Sequence, residues 1–201
     1  MARLLETDPV YACDFVVDGI CYDIVPDTEG TVAVTSGDFR YVEIPPTVIY
    51  NGKTYKVTSI GNWAFILCRR LTSVTIPNSV SSIGNWAFYC CRRLTSVTIP
   101  SSVTTIGIRA FSACDSLETI NVEPDNAAFC SHDGILYDID MTTLICCPGK
   151  MTTVSIPGSV TTIDECAFRD TSSLEAINVE PDNAAFCSHN GILYDIDMTT
   201  L

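Results

Sequence analysis

At 201 residues and 47% hydrophobic content the chain is long enough to bury a sizeable core. No run approaches the roughly 20 apolar residues of a membrane span, and a formal charge of −13 argues against general nucleic-acid binding. The opening Met1-Ala-Arg-Leu-Leu-Glu-Thr-Asp lacks the apolar stretch of a signal peptide. The charge is unevenly placed. Residues 1–40 hold eight acids and two bases, residues 41–110 one acid (Glu43) and seven bases, and residues 111–201 fifteen acids and two bases.

Residues 1–56 alternate in the manner of strands. Asp14-Phe-Val-Val-Asp-Gly-Ile-Cys-Tyr-Asp-Ile-Val, Thr31-Val-Ala-Val-Thr and Tyr41-Val-Glu-Ile are such runs, and Asp18-Gly19 and Asn51-Gly52 are hairpin-turn dipeptides. This segment is predicted to be an N-terminal β-rich cap. From Val57 a 23-residue unit takes over. Leu71-Thr-Ser-Val-Thr-Ile-Pro77 recurs at 94–100, and Ser-Ile-Gly-Asn-Trp-Ala-Phe occurs at 59–65 and 82–88. A fixed period of this size predicts a solenoid in which each coil buries its apolar side against the next. Within a coil, Leu71, Val74 and Ile76 are predicted to point inward from a strand that Pro77 ends. Val80 and Ile83 form a second short strand, Gly84 permits a sharp corner, and Asn85-Trp86-Ala87-Phe88 suits one short helical turn.

The aligned series Ile60, Ile83, Ile106, Ile163 steps by 23, 23 and then 57. The long unit is therefore a normal coil carrying an insertion of 34 residues, read as a hairpin over Ile135–Tyr137 and Leu144–Cys147. Leu117–Leu144 reappears as Leu174–Leu201 with two differences, Thr119 to Ala176 and Asp133 to Asn190. The second copy stops where its return strand would begin, so 57–201 is expected to be a solenoid cut in mid-repeat, prone to self-association through its last coil.

Eleven cysteines are present. Cys68, Cys91 and Cys114 share one register of three coils, which favours packed, reduced thiols over disulfides. No Cys-x-x-Cys pair points to a zinc ribbon.

The coils resemble the BspA-like leucine-rich repeat family of bacterial surface-type proteins. Its pattern L-x-x-[VI]-x-I-P-x-x-V-x-x-I-G-x-x-A-F-x-x-C is matched throughout by Leu71–Cys91 and by Leu94–Cys114. The coil from Met151 to Thr171 departs at Met151, Asp164 and Thr171. The resemblance implies a right-handed superhelix, a secreted or cell-surface location, and adhesion or interaction with protein or glycan; it supplies no catalytic residues.

Candidates for chemistry are few. Cys130 with His132, and Cys187 with His189, offer two metal ligands each where a closed zinc site needs four. Asp138 with Asp140, and Asp195 with Asp197, suit a hard cation in type, but no calcium-loop spacing accompanies them. No nucleotide-binding, hydrolase or metalloprotease motif occurs. Catalytic, cofactor and metal residues are therefore expected to be absent. Two surfaces remain as binding candidates. One is the outward strand face Ser73, Thr75, Ser96, Thr98, Thr119, Asn121, Thr153, Ser155 and Asn178. The other is an edge strip of Trp63, Trp86, Arg69, Arg70, Arg92 and Arg93; corner packing with solvated arginines is its structural alternative. The expected function is a non-enzymatic interaction module, with a structural spacer in a larger protein as the alternative.

Overall fold

The computed structural model of the chain describes residues 13–37 and 39–197. The N-terminal part is antiparallel. Phe15–Val17 pairs with Ile20–Ile24 across Asp18-Gly19, whose φ values of 49° and 82° fit a type I′ turn. Ile20–Ile24 pairs in turn with Thr31–Ser36, and Thr47–Tyr50 pairs with Lys53–Ile60 across Asn51-Gly52. Lys53–Ile60 is the seam between this antiparallel part and the coils. It runs parallel to Thr31–Ser36 on one side and to Ser82–Ile83 on the other, and Ser82–Ile83 pairs with Thr105–Ile106. One sheet thus passes from the antiparallel N-terminal part into the parallel stack.

Beyond the seam the chain is a β-solenoid with coils about 23 residues apart. Identical positions in stacked coils lie about 4.8 Å apart, so each apolar position becomes a row. Leu71, Leu94 and Leu117 form one interior row with no exposed surface. Phe65, Phe88 and Phe111 form another, with ring centroids 5.2 and 5.5 Å apart and planes within 6° of parallel. The row ends at Phe111, because the inserted strands separate it from its counterpart Phe168.

The corners depart from the expected helical turn. The amides of Ala64, Ile66 and Cys68 donate three residues back to Gly61, Trp63 and Phe65. The alternate amides of Trp63, Phe65 and Leu67 leave the coil and donate to the carbonyls of Asn85, Ala87 and Tyr89 at 2.7–2.9 Å. Trp86, Phe88 and Cys90 repeat this toward Ile108, Ala110 and Ser112. An α-helix would turn all these amides inward along its own axis. The corner instead uses half of them to bind its neighbour, with left-handed backbone at Trp63 and Leu67 (φ 58° and 59°) and again at Trp86 and Cys90. It is a ladder of tight turns.

Asparagine pins that ladder. Asn62 Oδ1 accepts the amide of Asn85 at 2.8 Å, and Asn85 Oδ1 accepts the amide of Ile108 at 2.9 Å. The contact is close enough that a Cβ on Gly84 would stand 2.5 Å from the Asn62 nitrogen. Gly84→Ala is therefore expected to cost about 2–3 kcal/mol through overpacking, read as a drop in the denaturation midpoint. Asp164 tolerates a side chain at the equivalent position because the strand preceding it is part of the insertion: its amide donates to Leu144, where Gly84 donates to Ile60.

The insertion is a three-stranded meander rather than a lone hairpin. Phe129–His132 pairs with Ile135–Asp138, which pairs with Thr143–Cys146, which lies parallel to Thr162–Ile163. It is tied down by Asn126, only 3% exposed. Asn126 Nδ2 donates to the Pro100 and Val103 carbonyls at 2.8 and 2.9 Å, while Oδ1 accepts the amides of Ala128 and Phe129 at 2.8 Å. Every polar site of the amide group is used. Asn183 makes the same four bonds in the second copy. The Glu123 carboxylate also accepts the Ser101 amide at 2.8 Å.

Candidate binding surfaces

The strand face is built by parallel pairing. Tyr41–Glu43 pairs with Ser73–Thr75, Ser96–Ile99 with Thr119–Val122, and Thr153–Ile156 with Ala176–Val179. The Thr95 amide, donating to the Thr72 carbonyl at 3.3 Å, links the first pair to the second. Ser73, Thr75, Ser96, Thr98 and Asn121 are exposed and Thr119 is half-buried; register sets Thr119 beside Ser96 and Asn121 beside Thr98. Thr153, Ser155 and Asn178 are exposed as well, but on a separate block. Among the described residues, Thr119–Val122 does not pair with Thr153–Ile156. The meander enters between them: the Ile120 amide donates to the Gly134 carbonyl, and the Lys150 amide to Leu117. The nine positions thus fall into a group of six and a group of three.

Sequence reading missed the start of this face. Tyr41, 74% exposed, sits beside Ser73, and Glu43 sits beside Thr75. The signal was the shared strand register, hidden because the lead-in coil lacks the repeat's full spelling.

The edge strip is partly assembled. Trp63 and Trp86 stack with centroids 5.8 Å apart and planes 8° from parallel. Trp63 is 52% exposed, whereas Trp86 is half-buried. Arg69, Arg70, Arg92 and Arg93 are all exposed. Arg92 meets Asp115 at 3.5 Å; no ion pair of Arg69, Arg70 or Arg93 is present among the described residues. Leu67 (51% exposed) and Ile108 (60%) extend the strip and were not foreseen.

The cysteine row is interior. Cys91 and Cys114 have no exposed surface and donate their thiols to the carbonyls of Phe65 and Phe88, both at 3.2 Å; Cys68 donates to Gly37 at 2.8 Å. Each thiol ties one coil to the one before it. Burial pushes the Cys91 thiol up, and the Cys114 thiol up to about 12. Only thiolate alkylates. Under native conditions near pH 8, iodoacetamide is expected to leave Cys91 and Cys114 unmodified by mass spectrometry while labelling both after unfolding.

The other candidates are absorbed by local structure. Cys130 donates to the Asp138 carbonyl at 3.0 Å, and His132 lies exposed beside Asp133 at 3.7 Å. Cys187 repeats the Cys130 bond, at 3.2 Å to Asp195. Asp138 caps its own turn: Oδ1 accepts the Thr142 and Thr143 amides at 2.7 and 2.9 Å, and Oδ2 accepts the Thr142 hydroxyl at 2.6 Å. Burial alone would raise the Asp138 carboxyl; these bonds outweigh it and hold the group below its ordinary value. Among the described residues no cluster of three His, Cys, Asp or Glu side chains is arranged to hold a metal.

These coils match the sequence pattern of the BspA type leucine-rich repeat region, in six copies over residues 39–133 and 136–190. The chain belongs to the BspA-type leucine-rich repeat family. Among solved structures, this family member resembles a leucine-rich repeat protein from Bacteroides ovatus with 32% identity and a TM-score of 0.61, over 83% of this chain and 41% of that one. It shares its fold with the pneumococcal vaccine antigen PcpA at 19% identity and a TM-score of 0.51, over 91% of this chain and 54% of that one. The chain thus spans about half the length of these two solved relatives. No curated protein sequence matches it.

Proposed function

We propose that this BspA-type repeat chain is a non-enzymatic interaction module of a secreted or cell-surface bacterial protein, binding protein or glycan on its strand face. The observation that carries the reading is the exposed, uncharged block Ser73, Thr75, Ser96, Thr98 and Asn121, continued by Tyr41 and held in register by parallel pairing. Rigid backbone presents hydroxyl and amide groups at fixed spacing, which lowers the ordering cost of binding. A flat repeat face is also the surface solenoids use for partners.

The test is a binding screen of the immobilised chain against extracellular-matrix proteins and mucin glycans. A ligand found there is expected to bind at least about tenfold more weakly to Thr98→Arg and Asn121→Arg variants, since each places a bulky charge at the centre of the block. Retention by those variants with loss in a Trp63→Ala/Trp86→Ala double variant would move the site to the edge strip. No ligand for this chain or for the intact protein containing it would favour the spacer reading.

A further inference from the structure

The first corner of the solenoid is open on the side where the second and third corners are covered. In the second corner the carbonyls of Asn85, Ala87 and Tyr89 accept amides from the coil before, and in the third those of Ile108, Ala110 and Ser112 do the same. The matching carbonyls of the first corner belong to Asn62, Ala64 and Ile66, and among the described residues no amide donates to them. The cause lies in the cap. Val34 occupies the place of Ile60, since it accepts the Gly61 amide as Ile60 accepts Gly84. Arg40 occupies the place of Thr72, since it accepts the Thr72 amide as Thr72 accepts Thr95. The cap covers that path in six residues where the next coil uses twelve, so it skips the corner.

What the skipped corner leaves is a cleft of about 700 Å³ between the first hairpin and the first ladder, lined by Val16, Cys21, Trp63, Ile66, Leu67 and Arg69 among others. Val16, Trp63 and Leu67 are each more than half exposed there. Arg70 also borders it, and both arginines lack an acidic partner among the described residues. Three kinds of observation coincide: a row of unused backbone acceptors on alternate residues, apolar side chains beside it, and two unneutralised cations at its end.

We propose that this cleft is a peptide-docking site that takes an acidic segment of a partner protein, folded as a further course of tight turns, by adding it to the ladder. Alternate amides of the segment donate to the Asn62, Ala64 and Ile66 carbonyls, taking the part that Trp63, Phe65 and Leu67 take for the second corner. Apolar side chains of the segment lie against Trp63 and Leu67, and its carboxylates meet Arg69 and Arg70. Backbone pairing supplies affinity, and side-chain pockets and charge supply selection, as in strand-addition complexes. The proposal rests on the interaction-module reading but names a surface separate from the strand face.

The test uses the full chain and a fluorescent nonapeptide, Asp-Glu-Val-Thr-Val-Thr-Leu-Asp-Glu, with two derivatives N-methylated on alternate residues. Binding is expected with a dissociation constant on the order of 10 μM, and with strong weakening by salt. One N-methylated derivative, blocked on the amides that face the ladder, is expected to lose at least about tenfold in affinity, and the other, blocked on the amides that close its own turns, to lose less. Leu67→Glu and the pair Arg69→Glu/Arg70→Glu are expected to weaken the parent peptide at least about fivefold. Thr98→Arg should leave it unchanged, which separates this site from failure of the strand face. Equal binding by both derivatives would overturn ladder pairing. No binding by the parent peptide would overturn the site, as would a dimer dissociated by Leu67→Glu that the peptide does not compete with, since a second copy would then be the occupant.

Discussion

Phe88→Ala is expected to be the most damaging single substitution in the aromatic row, lowering stability by about 4 kcal/mol. Phe88 has no exposed surface and stacks on Phe65 at 5.2 Å and on Phe111 at 5.5 Å, so its removal empties the middle of a three-ring column. The backbone around the gap has little room to collapse. The amides of Phe88 and of the flanking Trp86 and Cys90 are all committed to the third coil. For a chain of this size the loss corresponds to a fall in Tm of about 10 °C. In a stack held by nearest-neighbour contacts, a weakened middle also uncouples the two ends. Denaturant unfolding followed separately by tryptophan fluorescence, which reports Trp63 and Trp86, and by far-ultraviolet circular dichroism should therefore cease to coincide. Coincident transitions with a loss below about 1 kcal/mol would show that the column bears little of the stability.

Asn126→Ala is expected to cost about 3 kcal/mol, because it strands two carbonyls and two amides in a site from which water is excluded. Asn126→Asp is the sharper probe, since it keeps the shape. A carboxylate can still accept from Ala128 and Phe129, but it faces the Pro100 and Val103 carbonyls without a proton to donate. The charged form is thus disfavoured in the folded state, and the folded pKa of the introduced group lies above its unfolded value. The folded protein then binds more protons than the unfolded one between those two values, so this variant loses stability as pH rises through the carboxylate range. Relative to the parent chain it should be closest in stability at low pH and furthest at neutral pH, measured by urea denaturation. A deficit independent of pH would mean that the introduced carboxylate has left the site.

Much of the fold was legible because a solenoid writes its geometry into a period. Leu71, Leu94 and Leu117 could be placed in one interior row from spacing alone, and the β-branched run ending at Pro77 announced its strand. The turn dipeptides Asp18-Gly19 and Asn51-Gly52 marked their hairpins for a local reason, left-handed backbone at both residues. The corner was misread because Asn-Trp-Ala-Phe carries no local sign that its alternate amides leave the coil. That choice depends on the neighbour stacked beside it. Asn126 escaped notice as one polar residue in a polar loop; its role exists only once the Pro100–Val103 turn of the preceding coil lies against it. The candidate strand face was legible residue by residue, and its division by the meander was not.

The amino-acid order by itself determined the coil, the period and the residues that must face inward, since those follow from the spacing of apolar positions and the dihedral limits of Gly and Pro. Burial was decided by tertiary neighbours. Ile135 and Ile192 occupy the same place in two nearly identical segments, yet Ile135 is 2% exposed and Ile192 51%. The first is covered by Thr143–Cys146 and the coil that follows it; Ile135 and Tyr137 join the second core cluster, and Leu136 between them joins the first. The same logic leaves the Asn62, Ala64 and Ile66 carbonyls open while their counterparts in the next two coils are filled. A residue's own sequence specifies what it can bury or bond, and the coil beside it supplies whether it does.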